Sequence, residues 1–365
     1  MDQLRAVVVG TGFGLRVHVP ALRSCGVDVV GLVGQDRERT RRRAERVGIA
    51  GAFSSLTAAL DECDTDIVTI ASPPGSHRSM ALEALGYGKH VICEKPLAVD
   101  AIEAAEMCEA AARAGRVAYV GYEFRYSPAN ALVNQLIQSG AIGDPRVVTV
   151  VRMYSLLARP DAPAPAWWFR PESGGGWLNG NGSHAVDMML TQLGEIRSVS
   201  ALLFAVHPRE GGGDDSFAAT FVTTSGARGV FQESAAVWGP PLNVWQVAGT
   251  KGTVAIDDDV VHVADESGDR PVHLPPELEL EMDFDLDDTN NRPWTRQEIA
   301  PYRRLVTDFC REVRGESLDA AGPQAPTFED GRKAVQVLDA IRRSAVLGGA
   351  AVLCGPNAAT EAEKR

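Results

Sequence analysis

Short runs of valine, isoleucine and leucine, bounded by glycine or polar residues, recur through the first third of the chain. They are Leu4–Val9, Asp28–Val33, Asp66–Ala71, His90–Cys93 and Val117–Val120. Continuous apolar runs of this length suit strands covered on both faces, as in a parallel sheet. Between them lie longer stretches with helical spacing, Arg37–Val47, Ser76–Tyr87 and Ala101–Ala114. Strand alternating with helix at this rhythm predicts a doubly wound α/β domain over residues 1–122.

Past residue 125 the pattern changes. A helical stretch, Pro128–Ser139, leads into the valine-rich run Arg146–Met153, then a Pro/Ala/Trp-rich segment at 159–171 and a glycine cluster at 174–176. A short helix follows at Ala185–Leu193. Successive strands are predicted at Ser198–Val206, Phe217–Thr224, Arg228–Glu233, Asn243–Gly249 and Thr253–Ile256, with turn signals at Ser225-Gly226 and Gly249–Gly252. This is the pattern of an α+β domain with an open, mostly antiparallel sheet, placed at 123–350. The acidic segment Glu277–Asp288 reads as a solvated loop. Helices at Glu298–Arg314 and Thr327–Leu347 close the chain, the last expected to pack back on the first domain, and 356–365 reads as a disordered tail.

Composition narrows the class. At 365 residues the chain exceeds one compact core, in keeping with two domains. A formal net charge of -12 argues against a nucleic-acid partner, which needs a basic face. No apolar run reaches the ~18 residues that span a membrane, and no secretion signal opens the chain. The six cysteines form no CxxC pair and lie away from histidines, so reduced thiols in a cytoplasmic protein are expected, with no metal site.

The first chemical signal is Val9-Gly10-Thr11-Gly12-Phe13-Gly14, which ends the first strand and opens a helix. Gly10 suits the tight turn, Gly12 lets backbone approach a pyrophosphate, and the helix start offers free N–H donors. Phe13 belongs to the same turn. The third glycine of the usual spacing is displaced: position 15 is Leu15 and the glycine stands one place early, at Gly14, which implies a helix packed slightly further from the strand. At the end of the second strand, Gly34-Gln35-Asp36-Arg37 has glycine in the slot where an acid would hold a ribose 2′-hydroxyl. Arginines follow, so the reading leans to NADP(H), with Arg37 on the 2′-phosphate, although Asp36 is within chain reach of the ribose. The other arginines read as a solvated helix face.

Two further strand ends carry chemistry. One runs into Ser72-Pro73-Pro74 with His77 beyond. The other ends Cys93-Glu94-Lys95-Pro96. A lysine at the C-terminal edge of a parallel strand lies where open α/β sheets bind ligands, and burial would bring its pKa toward the range of acid–base catalysis.

With these segments, Gly121-Tyr122-Glu123-Phe124-Arg125-Tyr126-Ser127-Pro128 and Gly174-Gly175-Gly176-Trp177-Leu178 leading to Gly182-Ser183-His184 and Asp187, the chain resembles the glucose–fructose oxidoreductase/inositol dehydrogenase (Gfo/Idh/MocA) family over nearly its whole length. The resemblance implies an N-terminal Rossmann domain, a C-terminal open sheet, nicotinamide in the cleft between them, and pairing of the sheets into dimers or tetramers. It implies that Lys95 touches substrate and the nicotinamide ribose, that Glu94 and Pro96 shape the turn, and that Ser72, Pro73 and His77 line the cofactor. It also makes His184 the second catalytic group.

His184 follows a Gly/Asn-rich loop and stands three residues before Asp187, close enough on a helix face for the carboxylate to orient the imidazole. The family's dehydrogenases commonly carry an aspartate four residues before this histidine. Here that position is Gly180, which leaves Lys95 or Tyr122 as proton donor. Arg125, Trp168, Asn181 and Asp187 are the expected substrate contacts, Trp168 by stacking on a ring. The function expected is hydride transfer to or from a carbonyl or hydroxyl carbon of a sugar, cyclitol or related small molecule. The alternatives are an NAD-dependent hydrolase or lyase with transient oxidation, and a non-catalytic nucleotide-binding protein.

Overall fold

A computed structural model describes residues 3–282 and 295–355. The chain divides into two compact units, and the division differs from the one read from the sequence. Unit 1 comprises residues 1–98, 102–127 and 279–331. Unit 2 comprises 99–101, 128–278 and 332–365.

In unit 1, strands β1 (Arg5–Val9), β2 (Asp28–Val33), β3 (Gly51–Phe53), β4 (Ile67–Ile70), β5 (His90–Cys93) and β6 (Ala118–Val120) form one sheet in the order β3-β2-β1-β4-β5-β6. All its pairings are parallel. Helices α1 (Val19–Ser24), α2 (Arg37–Arg46), α3 (Leu56–Glu62), α4 (His77–Gly86) and α5 (Ala101–Ala114) connect the strands. β4 is buried at all four positions and β1 at four of five, as expected of strands covered on both faces. The order reverses direction between β1 and β4, the switch point at which doubly wound sheets take ligands.

Helices further along the chain are α6 (Pro128–Gln138), α7 (Ser183–Leu193), α8 (Thr295–Val313) and α9 (Phe328–Val346). It is α8, with only the first turn of α9, that joins the Rossmann unit; the rest of the last helix belongs to unit 2. The reason lies in the core. Ile299, Tyr302, Leu305, Val306 and Phe309 of α8 pack in one apolar cluster with Ala6 and Val8 of β1 and Leu22 of α1. Burying such side chains contributes about 1.5–3 kcal/mol each, which a sheet of this kind cannot forgo on an open face.

Unit 2 is built on a nine-stranded sheet. Its strands are β7 (Pro145–Met153), β8 (Ile196–Phe204), β9 (Ser216–Thr223), β10 (Arg228–Ser234), β11 (Leu242–Gly249), β12 (Thr253–Asp257), β13 (Val260–Asp265), β14 (Gly268–Val272) and β15 (Val352–Leu353), in the order β14-β13-β12-β11-β7-β10-β9-β8-β15. Every pairing is antiparallel except β7 with β10. The polar hairpin β13–β14 was not anticipated. The turn before it, between β12 and β13, holds Asp258 and Asp259 at φ 46° and 64°, the left-handed pair that a two-residue hairpin turn requires. In the acidic segment, Pro276–Leu278 forms a short 3-10 turn, while 283–288 and the expected tail at 356–365 lie outside the described residues.

Candidate functional site

The glycine turn is built as its residue types require. Gly10 has φ 109°, and a Cβ there would stand 2.4 Å from the carbonyl oxygen of Ala71 at the end of β4, so only glycine fits. Gly12 is exposed, and a Cβ on it would meet nothing within 4 Å. That is the open approach a pyrophosphate needs, in front of the helical run that begins at Gly14. The expected slack in helix packing is absent. A Cβ at Gly14 would lie 3.0 Å from Val8 Cγ1 and 3.2 Å from Ala71 Cβ, so the early glycine performs the close packing itself. A π-type turn, Gly14–His18, leads into α1 and accommodates the one-residue offset. Phe13 is half-buried, edge-on to His18 and Tyr302 at centroid distances of 5.6 and 6.1 Å.

At the end of β2, a Cβ on Gly34 would stand 2.5 Å from Thr40 Oγ1 and 2.6 Å from Thr11 Cγ2, so an acid in that slot would displace its neighbours. Asp36 caps α2, accepting from the Arg39 backbone N–H at 2.8 Å, and that bond draws its carboxyl below the ordinary value. Arg43 donates to the Thr11 carbonyl and hydroxyl, and Arg41 pairs with Glu38 and Glu45. Gln35, Arg37 and Arg39 stay exposed.

Ser72 and Pro73 are half-buried after β4. His77, expected to line the cofactor, has no exposed surface. Its Nδ1 lies 3.0 Å from the Pro96 carbonyl oxygen and its Nε2 2.8 Å from that of Ser72, and burial pushes its pKa down. It is a strut that ties the Ser72 loop to the Lys95 loop. Arg125, expected on the substrate, is likewise buried, with its guanidinium 3.2 and 3.3 Å from the carbonyl oxygens of Gln324 and Ala325 and 3.6 Å from Asp330. Tyr122 is fully buried.

Lys95 follows β5 and is half-buried. Its neighbour Glu94 is the centre of a network that sequence reasoning did not find. Glu94 Oε1 accepts from Tyr302 Oη at 3.0 Å and lies 3.0 Å from His18 Nε2, while Oε2 takes the Lys95 backbone N–H at 3.3 Å. Tyr302 and His18 are fully buried, their rings stacked at 4.5 Å. Burial, reinforced by the Glu94 charge, holds the Tyr302 phenol well above its usual range, so it remains a donor. Glu123, 2% exposed, is pushed well above the ordinary carboxyl range by burial first and the Glu94 charge second, with Lys95 opposing. Glu298 of α8 pairs with Arg16. The one available signal was the Glu-Lys-Pro sequence itself; Tyr302 lies 208 residues from Glu94.

In unit 2, the glycine cluster lets a tryptophan loop fold onto itself. A Cβ on Gly175 would stand 2.3 Å from the Trp167 carbonyl oxygen, and Gly176, at φ 100°, donates to that of Trp168 at 2.7 Å. Trp167, Trp168, Trp177 and Tyr154 form a chain of ring contacts at 6.2, 6.5 and 5.8 Å. Trp168, Trp177, Gly180 and Asp214 line one small cleft, and a Cβ on Gly180 would meet nothing within 4 Å. A second π-type turn, Leu178–Gly182, opens α7, on which His184 and Asp187 are both buried. Asn181 donates to Glu233 Oε2 at 2.9 Å, and Glu233 faces Arg152 at 3.7 Å.

Comparison with known proteins accords with these motifs. Residues 4–122 match the model of an oxidoreductase family with an NAD-binding Rossmann fold, and 131–255 match the GFO/IDH/MocA C-terminal domain. The chain is 26% identical to the myo-inositol 2-dehydrogenase of Thermotoga maritima, over 73% of this chain and 80% of that one. It is 33% identical to the levoglucosan dehydrogenase of Pseudarthrobacter phenanthrenivorans, over 49% of this chain and 47% of that one. The chain spans about half the length of several curated relatives it matches. A structure of levoglucosan dehydrogenase in complex with NADH and levoglucosan superposes with a TM-score of 0.83 at 25% identity, covering 97% of this chain and all of that one. An oxidoreductase domain protein from Kribbella flavida superposes at 0.82 and 27% identity, covering 98% of this chain and 100% of that one.

Proposed function

The chain belongs to the Gfo/Idh/MocA oxidoreductase family, and on that premise we propose that it is an NAD(P)-dependent dehydrogenase or reductase acting on a hydroxyl or carbonyl of a sugar, cyclitol or related polar molecule. One observation carries this reading. The open Gly12 and the side chain of Lys95 follow β1 and β5, strands of one parallel sheet, so both stand at its C-terminal edge, flanking the switch point. The nicotinamide would supply or accept the hydride. Gly10, Gly12 and the helix from Gly14 would seat its pyrophosphate, with Ser72 and Pro73 beside the next strand end.

Lys95 is the group that would hydrogen-bond the reacting oxygen and pass its proton, held in place by Glu94, whose carboxylate is itself fixed by Tyr302 and His18. His184 is proposed as the second proton-handling group, and Trp168 with the neighbouring rings as a stacking surface for a ring substrate. A preference for NADP(H) is supported by the absence of a carboxylate at position 34, the capping role of Asp36, and exposed Arg37 and Arg39. The sheet face bearing Val147 (59% exposed), Val230 (42%) and Leu242 (48%) is proposed to pair copies of the chain into a homodimer or homotetramer in the cytoplasm.

The test is a fluorescence titration with NADH and NADPH in parallel, then a panel of sugars and cyclitols followed through nicotinamide absorbance. Binding with turnover that Lys95→Ala abolishes while nucleotide affinity persists is the expected result. Co-purified nucleotide with no net redox change would favour the hydrolase or lyase alternative. Absence of any nucleotide binding would refute the reading.

A further inference from the structure

The charges beside Lys95 do not balance if every acid is ionised. Glu94 and Glu123 stand just past the ends of neighbouring strands, because Cys93 pairs with Val120 and the Gly121 N–H donates to the Cys93 carbonyl at 2.8 Å. The two loops touch. A Cβ on Gly121 would lie 2.3 Å from Glu94 Oε1. From α8, Glu298 adds a third carboxyl, and its charge is felt by Glu123.

Among the described residues, two cations are placed against these three, Lys95 and Arg16. Other polar groups among the described residues lie around them. His18 has its Nε2 on the Glu94 carboxylate, and its buried Nδ1 has no hydrogen-bond partner among the described residues. Burial pushes the His77 pKa down, Tyr302 keeps its phenolic proton, and Arg125 lies on two carbonyls and Asp330. An uncompensated buried charge is costly, which favours the most buried acid keeping its proton. Glu94 has three donors and Glu298 has Arg16. Glu123 has a buried oxygen, Oε2, with no hydrogen-bond partner among the described residues.

We propose that Glu123 is a positioning residue for Lys95, a buried acid that stays neutral while Glu94 and Glu298 hold the negative charge around the ammonium. The inference rests on the reading of Lys95 as the proton-handling group. Burial and the Glu94 charge both act in this direction on the Glu123 carboxyl. While Glu123 is neutral, Lys95 releases its proton to a product oxygen without leaving a second ionised acid beside it. Once Glu123 ionises in alkaline solution, the ammonium gains a counter-ion and retains its proton to higher pH. A neutral glutamine at 123 keeps the shape and the charge of the acid form and removes the second state.

The test is Glu123→Gln, read first without any substrate. Acetylation of Lys95 by acetic anhydride, followed by peptide mass spectrometry across pH, reports the free amine directly. The midpoint for Lys95 is expected to fall by on the order of one pH unit in the variant. Because no turnover is needed, this outcome is independent of whether the oxidoreductase reading holds. Where turnover is found, the alkaline limb of kcat/KM for carbonyl reduction should move down by the same amount, with NADH affinity as the control. An unmoved or raised midpoint overturns the proposal, as does a uniform loss of reactivity at all pH values, which a purely structural role would give. Should Glu123→Gln fail to fold, the wild-type infrared spectrum at neutral pH decides, compared with Glu123→Asp. A protonated-carboxyl band that shifts in the aspartate variant is expected, and a band that does not shift overturns the proposal.

Discussion

Replacing Tyr302 by phenylalanine removes one oxygen from the fully buried network around Glu94 and leaves the ring where it is. The stack on His18 at 4.5 Å and the edge contact with Phe13 at 6.1 Å do not involve the hydroxyl, so packing is preserved. What is lost is the 3.0 Å bond to the Glu94 carboxylate. A hydrogen bond to a charged acceptor contributes about 1.5–3 kcal/mol, and a buried carboxylate short of a donor sits at the upper end of that range. For a unit of this size each kcal/mol moves the melting temperature by roughly 2–4 °C, so a loss of about 3 kcal/mol predicts a fall of roughly 6–12 °C. The control is built into the molecule. Tyr87, 43% exposed, makes the same kind of bond, donating to Asp61 at 2.9 Å on the surface of unit 1. Tyr87→Phe should cost under about 0.5 kcal/mol, because water replaces the lost partner. Differential scanning calorimetry on the two variants and the wild type measures both. If Tyr302→Phe melts with the wild type, or if the two variants fall equally, the claim that a buried donor from α8 fixes Glu94 is wrong.

The glycine turn yields a paired prediction. Gly12→Ala places a methyl in open space, so the melting temperature should hold within about 1 °C while NADH and NADPH affinity drops tenfold or more by fluorescence titration. Gly10→Ala collides with Ala71 at φ 109° and should lose both stability and binding; equal behaviour of the two would dismiss the phosphate seat. Glu123 predicts a pH dependence of stability. Its folded pKa lies above the unfolded value of 4.5, so the folded chain keeps a proton that the unfolded chain releases, and stability declines as pH rises from about 4.5 toward the raised value. Glu123→Gln lacks this decline, so urea midpoints of variant and wild type should diverge in the variant's favour as pH rises, and parallel curves would contradict the neutral-acid picture.

The elements read best from sequence are those whose pattern depends on nearby residues. β1, β2, β4, β5 and β6 were placed within about a residue because strands buried on both faces leave unbroken apolar runs. The three residues of β3 leave no such run, and β14, Gly268–Val272, is too polar to read as a strand by itself. For the site, local motifs point to Gly10, Gly12 and Lys95, while burial, which no motif reveals, distinguishes His77 and Arg125. Both are buried, and each has its polar atoms against backbone carbonyls. Glu123 was within a quoted motif, but only its burial distinguishes it from any surface glutamate. Tyr302 carries no local signal, since its role depends on which sheet its helix covers.

That helix also fixes an order of synthesis. Residues 1–127 hold all six parallel strands, yet the apolar cluster over β1 and α1 is completed by Ile299, Tyr302, Leu305, Val306 and Phe309. A chain growing at about 5–20 residues per second leaves its first sheet short of this cover for roughly 10–40 s while all but the last strand of the second sheet is made. During that interval Glu94 has neither its tyrosine nor the closed wall around it. The nascent Rossmann segment must therefore wait half-finished on the ribosome, a natural client for chaperones, and a gene fragment ending after β6 should express as an aggregation-prone species and not as a miniature nucleotide-binding domain.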